Sequence, residues 1–300
     1  MKKNSNQNIY KHRKIIYEKL RNSKYVKDDK DILIKFRLNN FSKEIGTIKK
    51  KIETIILKSL KEVHKRKFKT NNNFLKKYYK EIISLPNITP NGAFQPKKEI
   101  IKEYNSFHKS IIKLLKKLGL FKNIERAMHI VIRIKKGSES NSVKNRSYAT
   151  NKIHSDAWSG MAMDSVLMIM LFGDINNNTV DCYKPINFNK NILKKLKKFD
   201  QGKNYYEKIE HITKINKNEL VVFDQLCLHK SSITKNAGPR ISVDLGIDWK
   251  KPKLNYKFKK KSKRYQKFRL NKWAKLDYKL IKNNNLSFSD AKHYKNYLLN

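Results

Sequence analysis

Acidic side chains are scarce in this chain. Twenty-five Asp and Glu stand against seventy Lys and Arg, a formal net charge of +45 with a pI near 10.1. Such an imbalance ordinarily points to a polyanionic partner. Here the basic residues are spread along the whole chain instead of forming one stripe, and Lys, Asn and Ile are overabundant together, as AT-rich coding produces. The charge therefore defines no nucleic-acid reader by itself. Cysteine is almost missing: Cys182 and Cys227 are the only two, which excludes a disulfide framework and fits free thiols in a reducing compartment. Long apolar runs are missing too. None approaches the roughly eighteen residues of a membrane-spanning helix, and no apolar segment follows the lysines of Met1-Lys2-Lys3, so no leader is read and a cytoplasmic location is expected.

What is present suffices for one full core. With 300 residues, 39% of them apolar, a single domain with additions is the expected organisation. Strand signals concentrate between residues 126 and 250, in Ala127–Ile134, Val166–Phe172, Leu220–Leu228 and Arg240–Ile247. Gly173-Asp174 and Asn176-Asn177-Asn178 punctuate them as turns. Upstream the period changes to helical: Ile45, Ile48, Ile52, Ile55, Ile56 and Leu60 form one stripe, and Ile111, Leu114, Leu115 and Leu118 form another that Gly119 caps. A loop carrying Pro86, Pro90, Gly92 and Pro96 separates the two groups.

Two segments far apart carry chemistry. In an extended strand, alternate side chains share a face, so His154 and Asp156 can reach one metal ion while Ser155 looks away. Two neutral imidazoles and one carboxylate on one face of an octahedral ion leave positions open for other ligands, the arrangement of non-haem Fe(II) oxygenases. His229 fits as the third ligand, because it starts a strand after the buried run Leu220–Leu228. Eleven positions later Arg240 and Ser242 share a strand face; a guanidinium fork with a hydroxyl beside it suits the far carboxylate of a dicarboxylate co-substrate. Either element alone is weak, and their order and spacing give them weight. His211 is the one credible substitute for His229, and it has no Arg at the needed distance. Cys227 invites a reading as a further ligand, against the commoner one of a small buried thiol.

The string Ile153-His154-Ser155-Asp156-Ala157-Trp158-Ser159-Gly160, with Phe223–Ser232 and then Asn236, Pro239, Arg240, Ile241 and Ser242, resembles the Fe(II)/2-oxoglutarate-dependent oxygenases. His-Ser-Asp-Ala-Trp is similar to the branch found in sporadic carbohydrate-biosynthesis clusters and related to a streptomycin-biosynthesis protein. The resemblance covers residues 125–250. It implies Fe(II), 2-oxoglutarate and O₂ as cofactor and co-substrates, His154, Asp156 and His229 as iron ligands, Arg240 on the distal carboxylate and Ser242 as its helper. Oxidative decarboxylation to succinate and CO₂ would drive oxidation of a C–H bond, by default hydroxylation, with desaturation or epimerisation as variants. Because Asp156 is retained, the halogenating variants, which lack that carboxylate, are disfavoured. The implied fold is a mainly β core, a double-stranded β-helix of the jelly-roll or cupin-like type. On that frame residues 1–124 are a helical flank packing on the barrel, 125–250 the oxygenase core and 251–300 a basic C-terminal extension.

Around the site, residues 137–152 read as a mobile loop, Arg133, Arg146 and Tyr148 as pocket candidates against ordinary surface roles, and Trp158 as pocket wall or structural Trp in equal measure. The run Lys257–Arg269 reads as a solvated or membrane-adjacent helix in preference to a nucleic-acid contact, with weak association to anionic surfaces expected. The branch resemblance implies a small-molecule, sugar or glycan-intermediate substrate in carbohydrate or cell-surface polysaccharide biosynthesis, and no specific nucleic acid. The alternatives are a cupin-like metal-binding isomerase or binding module, and a basic nucleic-acid-binding protein with an accidental metal-like triplet.

Overall fold

The computed structural model describes residues 20–30, 33–71, 73–89, 91–95, 98–127, 130–137, 150–156, 165–185, 209–224, 227–249 and 279–280. Among them the chain forms β1 (Val26–Lys30), β2 (Leu33–Arg37), α1 (Ser42–His64), two short helices α2 (Phe74–Lys77) and α3 (Tyr79–Ile83), β3 (Ala93–Phe94) and α4 (Ile101–Lys117). The strands β4 (Ile124–Ala127), β5 (Val131–Lys135), β6 (Ser165–Gly173), β7 (Asn178–Pro185), β8 (Ile209–Lys214), β9 (Glu219–Asp224), β10 (Leu228–Ile233), β11 (Arg240–Trp249) and β12 (Lys279–Leu280) follow.

Pairing among the strands is that of a hairpin folded over on itself. Moving inward from the two ends, β5 pairs with β11, His154 bridges His229 on β10, β6 pairs with β9, and β7 pairs with β8, all antiparallel. Cross-pairing of β11 with β6 and of β10 with β7 then divides this ribbon into two sheets. The larger has the order β1-β2-β9-β6-β11-β4-β12, with β5 also on β11 and β3 on β5; the smaller is β10-β7-β8 with His154 bridging β10. That wiring, which strand register alone defines, is a double-stranded β-helix.

The alternation of side chains builds two apolar layers. On β6, Met168 and Met170 face the helices, while Ile169 and Leu171 face the smaller sheet; on β9, Leu220 and Val222 point to the helices, and Val221 and Phe223 inward. A strand covered on both faces reads as a continuous apolar run, which is why both were legible from sequence. The helix-side layer takes Ile48, Ile52, Ile55, Ile56 and Leu60 of α1 and Ile111, Leu114 and Leu115 of α4. Each fully buried aliphatic side chain there contributes about 1.5–3 kcal/mol of transfer free energy. Gly119 follows α4 at φ 72, the left-handed cap the sequence predicts.

The inner layer changes character at β11. Ile241, Val243, Leu245 and Ile247 go to the helix side, so Arg240, Ser242 and Asp244 point between the sheets. A polar wall thus stands where β6 and β9 present Leu171, Ile169 and Phe223.

Two expectations change on contact with the structure. The N-terminal flank is not helical only, since β1 and β2 extend the larger sheet through β2–β9 pairing. The run Ala127–Ile134 is not one strand: β4 and β5 pair with successive parts of β11. Of the basic C-terminal extension only Lys279–Leu280 is described, paired with β4; the run 257–269 lies outside the described residues. No helix among the described residues is long and apolar enough to cross a membrane.

Candidate metal centre

The site begins with two histidines joined through their backbones. His154 N–H donates to the His229 carbonyl at 3.0 Å, and His229 N–H donates to the His154 carbonyl at 2.8 Å. Residues exchanging both bonds in an antiparallel pair project on the same face; the ring centroids lie 4.3 Å apart. Asp156, two residues along from His154, brings Oδ1 to 3.8 Å from His229 Nε2. One ligand atom from each of the three residues fits within 4.8 Å of the others. His154 is 4% exposed, and the side chains of His229 and Asp156 are 12% and 23% exposed. Ser155 is buried.

Backbone carbonyls set the tautomers. His154 Nδ1 lies 2.7 Å from the Lys152 carbonyl and His229 Nδ1 lies 3.1 Å from the Cys227 carbonyl. A carbonyl only accepts, so each Nδ1 carries a proton, and in the neutral ring Nε2 is the nitrogen left with a lone pair. Burial, then the neighbouring His229 ring, holds the His154 imidazole well below the usual histidine range. It is therefore neutral at physiological pH, as a metal ligand must be. Two Nε2 lone pairs and one carboxylate oxygen converging from two segments fit a divalent first-row metal held by three protein ligands, with second contacts already in place on both imidazoles.

The polar wall of β11 stands beside this centre. Arg240 is 1% exposed and Ser242 equally enclosed. Arg240 Nη2 donates to Ser231 Oγ at 3.4 Å, and Ser231 lies two positions past His229 on β10. Ser231 in turn is tied to the segment before the first histidine: its amide donates to the Thr150 carbonyl at 2.6 Å and its hydroxyl lies 3.4 Å from Thr150 Oγ1. The guanidinium therefore reaches across to the strand that carries the second histidine. Ser231 and Thr150 were missed by sequence reasoning. The signal for Ser231 was present, since a period of two from His229 puts it on the same face; Thr150 had none, being one polar residue in a polar loop.

The remaining sequence candidates divide. Arg133 does face inward, where its Nε donates to Asp244 Oδ2 at 2.9 Å and its Nη1 to the Asn91 carbonyl at 3.1 Å; it holds two parts of the larger sheet together. Cys227 is fully buried in the inter-sheet layer, and its Sγ lies 3.7 Å from the Tyr183 carbonyl. The Cys182 thiol beside it, together with burial, pushes the Cys227 thiol well up, so it is a packed thiol outside the donor cluster. His211 lies on β8, with Nε2 3.5 Å from Asp181 Oδ1, and is no part of the cluster. Arg146, Tyr148, Trp158 and most of the 137–152 loop lie outside the described residues.

No protein-family model matches the chain, and no curated protein matches it. Solved structures do. The non-heme alpha-ketoglutarate-dependent epimerase SnoN from nogalamycin biosynthesis is 8% identical, with 72% of this chain and 77% of that one covered and a TM-score of 0.36. AviO1 from Streptomyces viridochromogenes is 12% identical over 74% and 91% of the two chains, with a TM-score of 0.37. A prolyl hydroxylase from Trichoplax adhaerens, solved with a hypoxia-inducible-factor peptide fragment, is 12% identical over 83% and 94%, with a TM-score of 0.34. What the site can do follows from its own atoms.

Proposed function

We propose that the chain is an Fe(II)- and 2-oxoglutarate-dependent dioxygenase. The observation that carries the reading is the convergence of His154, Asp156 and His229 within 4.8 Å, with both Nδ1 protons already committed to backbone carbonyls. When bound, iron and 2-oxoglutarate supply the oxidising chemistry, at the expense of O₂ and with succinate and CO₂ released.

The chain's own residues do the rest. His154 and His229 would offer Nε2 and Asp156 a carboxylate oxygen to the metal, and three protein ligands would leave positions for co-substrate and oxygen. Arg240 and Ser242 hold the distal carboxylate of 2-oxoglutarate; a guanidinium stays charged in an enclosed site and binds a carboxylate through two parallel hydrogen bonds. Ser231 fixes that guanidinium from the opposite sheet. Phe223, whose ring centroid lies 5.1 Å from that of His229, and the inter-sheet apolar layer keep water from the closed side of the centre.

The substrate reading rests on the resemblance of His154–Trp158 to the carbohydrate-biosynthesis branch: a small-molecule or glycan-type substrate, hydroxylated by default, in carbohydrate or cell-surface polysaccharide assembly in the cytoplasm. No specific nucleic-acid partner belongs to this reading, and association with anionic surfaces is expected to be weak and salt-sensitive. In the same proposal residues 1–124 flank the core of 125–250, and 251–300 form the basic extension.

Succinate formation from 2-oxoglutarate in air tests the reading. Wild type with Fe(II) is expected to release succinate slowly even without primary substrate, and His229→Ala to release none above the metal-only background. Equal rates for the two proteins would favour the cupin-like binding module.

A further inference from the structure

The helix layer carries a surface of one charge at the C-terminal end of α1. From Val63 to Lys80 the chain holds no acidic residue. Lys65 and Arg66 reach the flanking acids, Glu62 at 3.5 Å and Glu81 at 2.6 Å, and Lys61, Lys67, Lys69, Lys76, Lys77 and Lys80 are exposed beside them. The Arg66–Glu81 pair also ties the end of α1 to α3, and Phe68 lies edge-on to Tyr78 with ring centroids 5.0 Å apart. The two halves of the segment therefore fold into one patch.

Two aliphatic side chains stand among these lysines. The buried stripe of α1 runs through Ile52, Ile56 and Leu60 and overshoots the core at Val63, which is 44% exposed; Ile83, the last residue of α3, is 42% exposed. These are the large apolar side chains left exposed among the described residues, and both fall here. The segment's rings turn the other way: Phe68 and Phe74 are buried in the helix-side core with Ile82 and Leu85, and Tyr78 and Tyr79 pack half-buried against it. Single-stranded nucleic acid is held by cations together with aromatic stacking platforms, and a duplex by phosphate contacts that give an aliphatic side chain nothing to enter. An anionic bilayer takes both parts of this surface. Its headgroups attract clustered lysines, and aliphatic side chains enter the boundary between headgroups and acyl chains.

We propose that residues 61–83 form a docking surface for an anionic lipid bilayer, with the lysines on the headgroups and Val63 and Ile83 in the interfacial region. The general charge of the chain attracts any polyanion weakly; this surface gives the attraction a place and an apolar component. It belongs to the layer on the helix side of the larger sheet, whereas Phe223, with its ring beside His229, points to the other face. Docking therefore leaves the donor set untouched, and the inference is independent of the oxygenase reading.

The test is co-sedimentation of the full chain with vesicles of phosphatidylcholine alone and of phosphatidylcholine mixed with phosphatidylserine, beside a titration of duplex DNA, all at about 0.15 M salt. Three variants are compared with wild type: Lys67→Gln/Lys69→Gln/Lys76→Gln in the patch, Lys43→Gln/Lys50→Gln/Lys109→Gln at exposed positions elsewhere on the helix layer with the same loss of charge, and Val63→Ser/Ile83→Ser. The run 257–269 is present in every protein, so its pull is constant. Thermal unfolding by circular dichroism, expected to match wild type closely, controls for folding. Wild type is expected to bind the anionic vesicles and not the neutral ones. The patch triple should lose about a hundredfold in affinity for them, near fivefold per lysine, and the control triple less than about tenfold. The serine pair should lose about tenfold on vesicles and nothing on DNA. Equal losses in the two triples, an unchanged serine pair, or no binding of wild type to the anionic vesicles each overturns the proposal. A patch triple that loses affinity for DNA and not for vesicles overturns it too, and assigns the surface to nucleic acid.

Discussion

His154 and His229, seventy-five positions apart in sequence, donate backbone hydrogen bonds to each other at 3.0 and 2.8 Å. This reciprocal bridge couples the smaller sheet to the segment carrying the first histidine and the aspartate, so ring spacing is set by backbone register and not by side-chain choice. A donor set held in this way is preorganised: little rotamer freedom is left to lose when an ion binds, and each imidazole has only one nitrogen to offer.

Ser231 is predicted to act on co-substrate binding without acting on the metal. Its hydroxyl accepts from Arg240 and is tied to Thr150, so Ser231→Ala leaves the guanidinium without that positioning contact. The expected loss in 2-oxoglutarate affinity is about fivefold to tenfold, one ordinary hydrogen bond. Ser231→Thr restores it, and metal affinity stays at the wild-type value. Equilibrium binding of both ligands checks this; a parallel loss of metal affinity would assign Ser231 to the general integrity of β10 instead.

Gly173 ends β6 opposite Arg240 at φ 96, and a Cβ added there would sit 2.6 Å from the Pro239 carbonyl oxygen and 3.3 Å from the Arg240 Cα. Both the dihedral and the contact penalise any side chain. Gly173→Ala is expected to lower stability by about 1–3 kcal/mol in urea denaturation, and to weaken 2-oxoglutarate binding because the strain falls on the first residue of β11. Wild-type stability in this variant would show that the turn relaxes freely.

Acid stability is predicted to depend on Glu219. Its side chain is 3% exposed, with Oε1 2.7 Å from Lys27 Nζ and Oε2 3.4 Å from Lys35 Nζ; Lys35 also donates to the Lys214 carbonyl at 2.8 Å and so ties β2 to β8. Burial by itself raises this carboxyl, but Lys27, the Asn216 amide and Lys35 together bring it below the ordinary value near 4.5. A carboxyl lowered on folding contributes stability that is fully present above its unfolded value and disappears as pH falls through the folded one. Wild type should keep this contribution down to about pH 4.5 and lose it below. Glu219→Gln should be destabilised at neutral pH by on the order of 3 kcal/mol, because a buried lysine loses its counter-charge, and the gap to wild type should narrow in acid. Denaturation midpoints taken across that pH range check the sign, and a gap that widens in acid contradicts it.

Much of the site was legible because it is written locally. A period of two places Arg240 and Ser242 on one face of β11; His154 instead lies in an isolated bridge and Asp156 in a helical turn, so their convergence is not a strand alternation. The strands β6, β9 and β11 were legible because both their faces are covered or nearly so, and the two long helices because their stripes are regular. The strands that were not read lack that pattern. The β1 sequence Val26-Lys27-Asp28-Asp29-Lys30 has one apolar residue, and among its described side chains β7 places just Val180 and Cys182 in the inner apolar layer. What no local pattern encodes is register. The opposition of Lys135 to Arg240 and the reach of Arg240 to Ser231 depend on which residues align across strands more than a hundred and about ten positions apart, and a shift of one residue would turn each of them to the other face.

The most direct test of the central claim is anaerobic titration of the metal-free protein with Fe(II) and then 2-oxoglutarate, following the weak visible charge-transfer band of the bidentate chelate. Wild type is predicted to develop the band with saturation at one equivalent of iron, Asp156→Ala to lose or distort it, and Arg240→Met to need a higher 2-oxoglutarate concentration for the same amplitude. No band in wild type at saturating Fe(II) and 2-oxoglutarate, or an unaltered band in Asp156→Ala, would contradict the account.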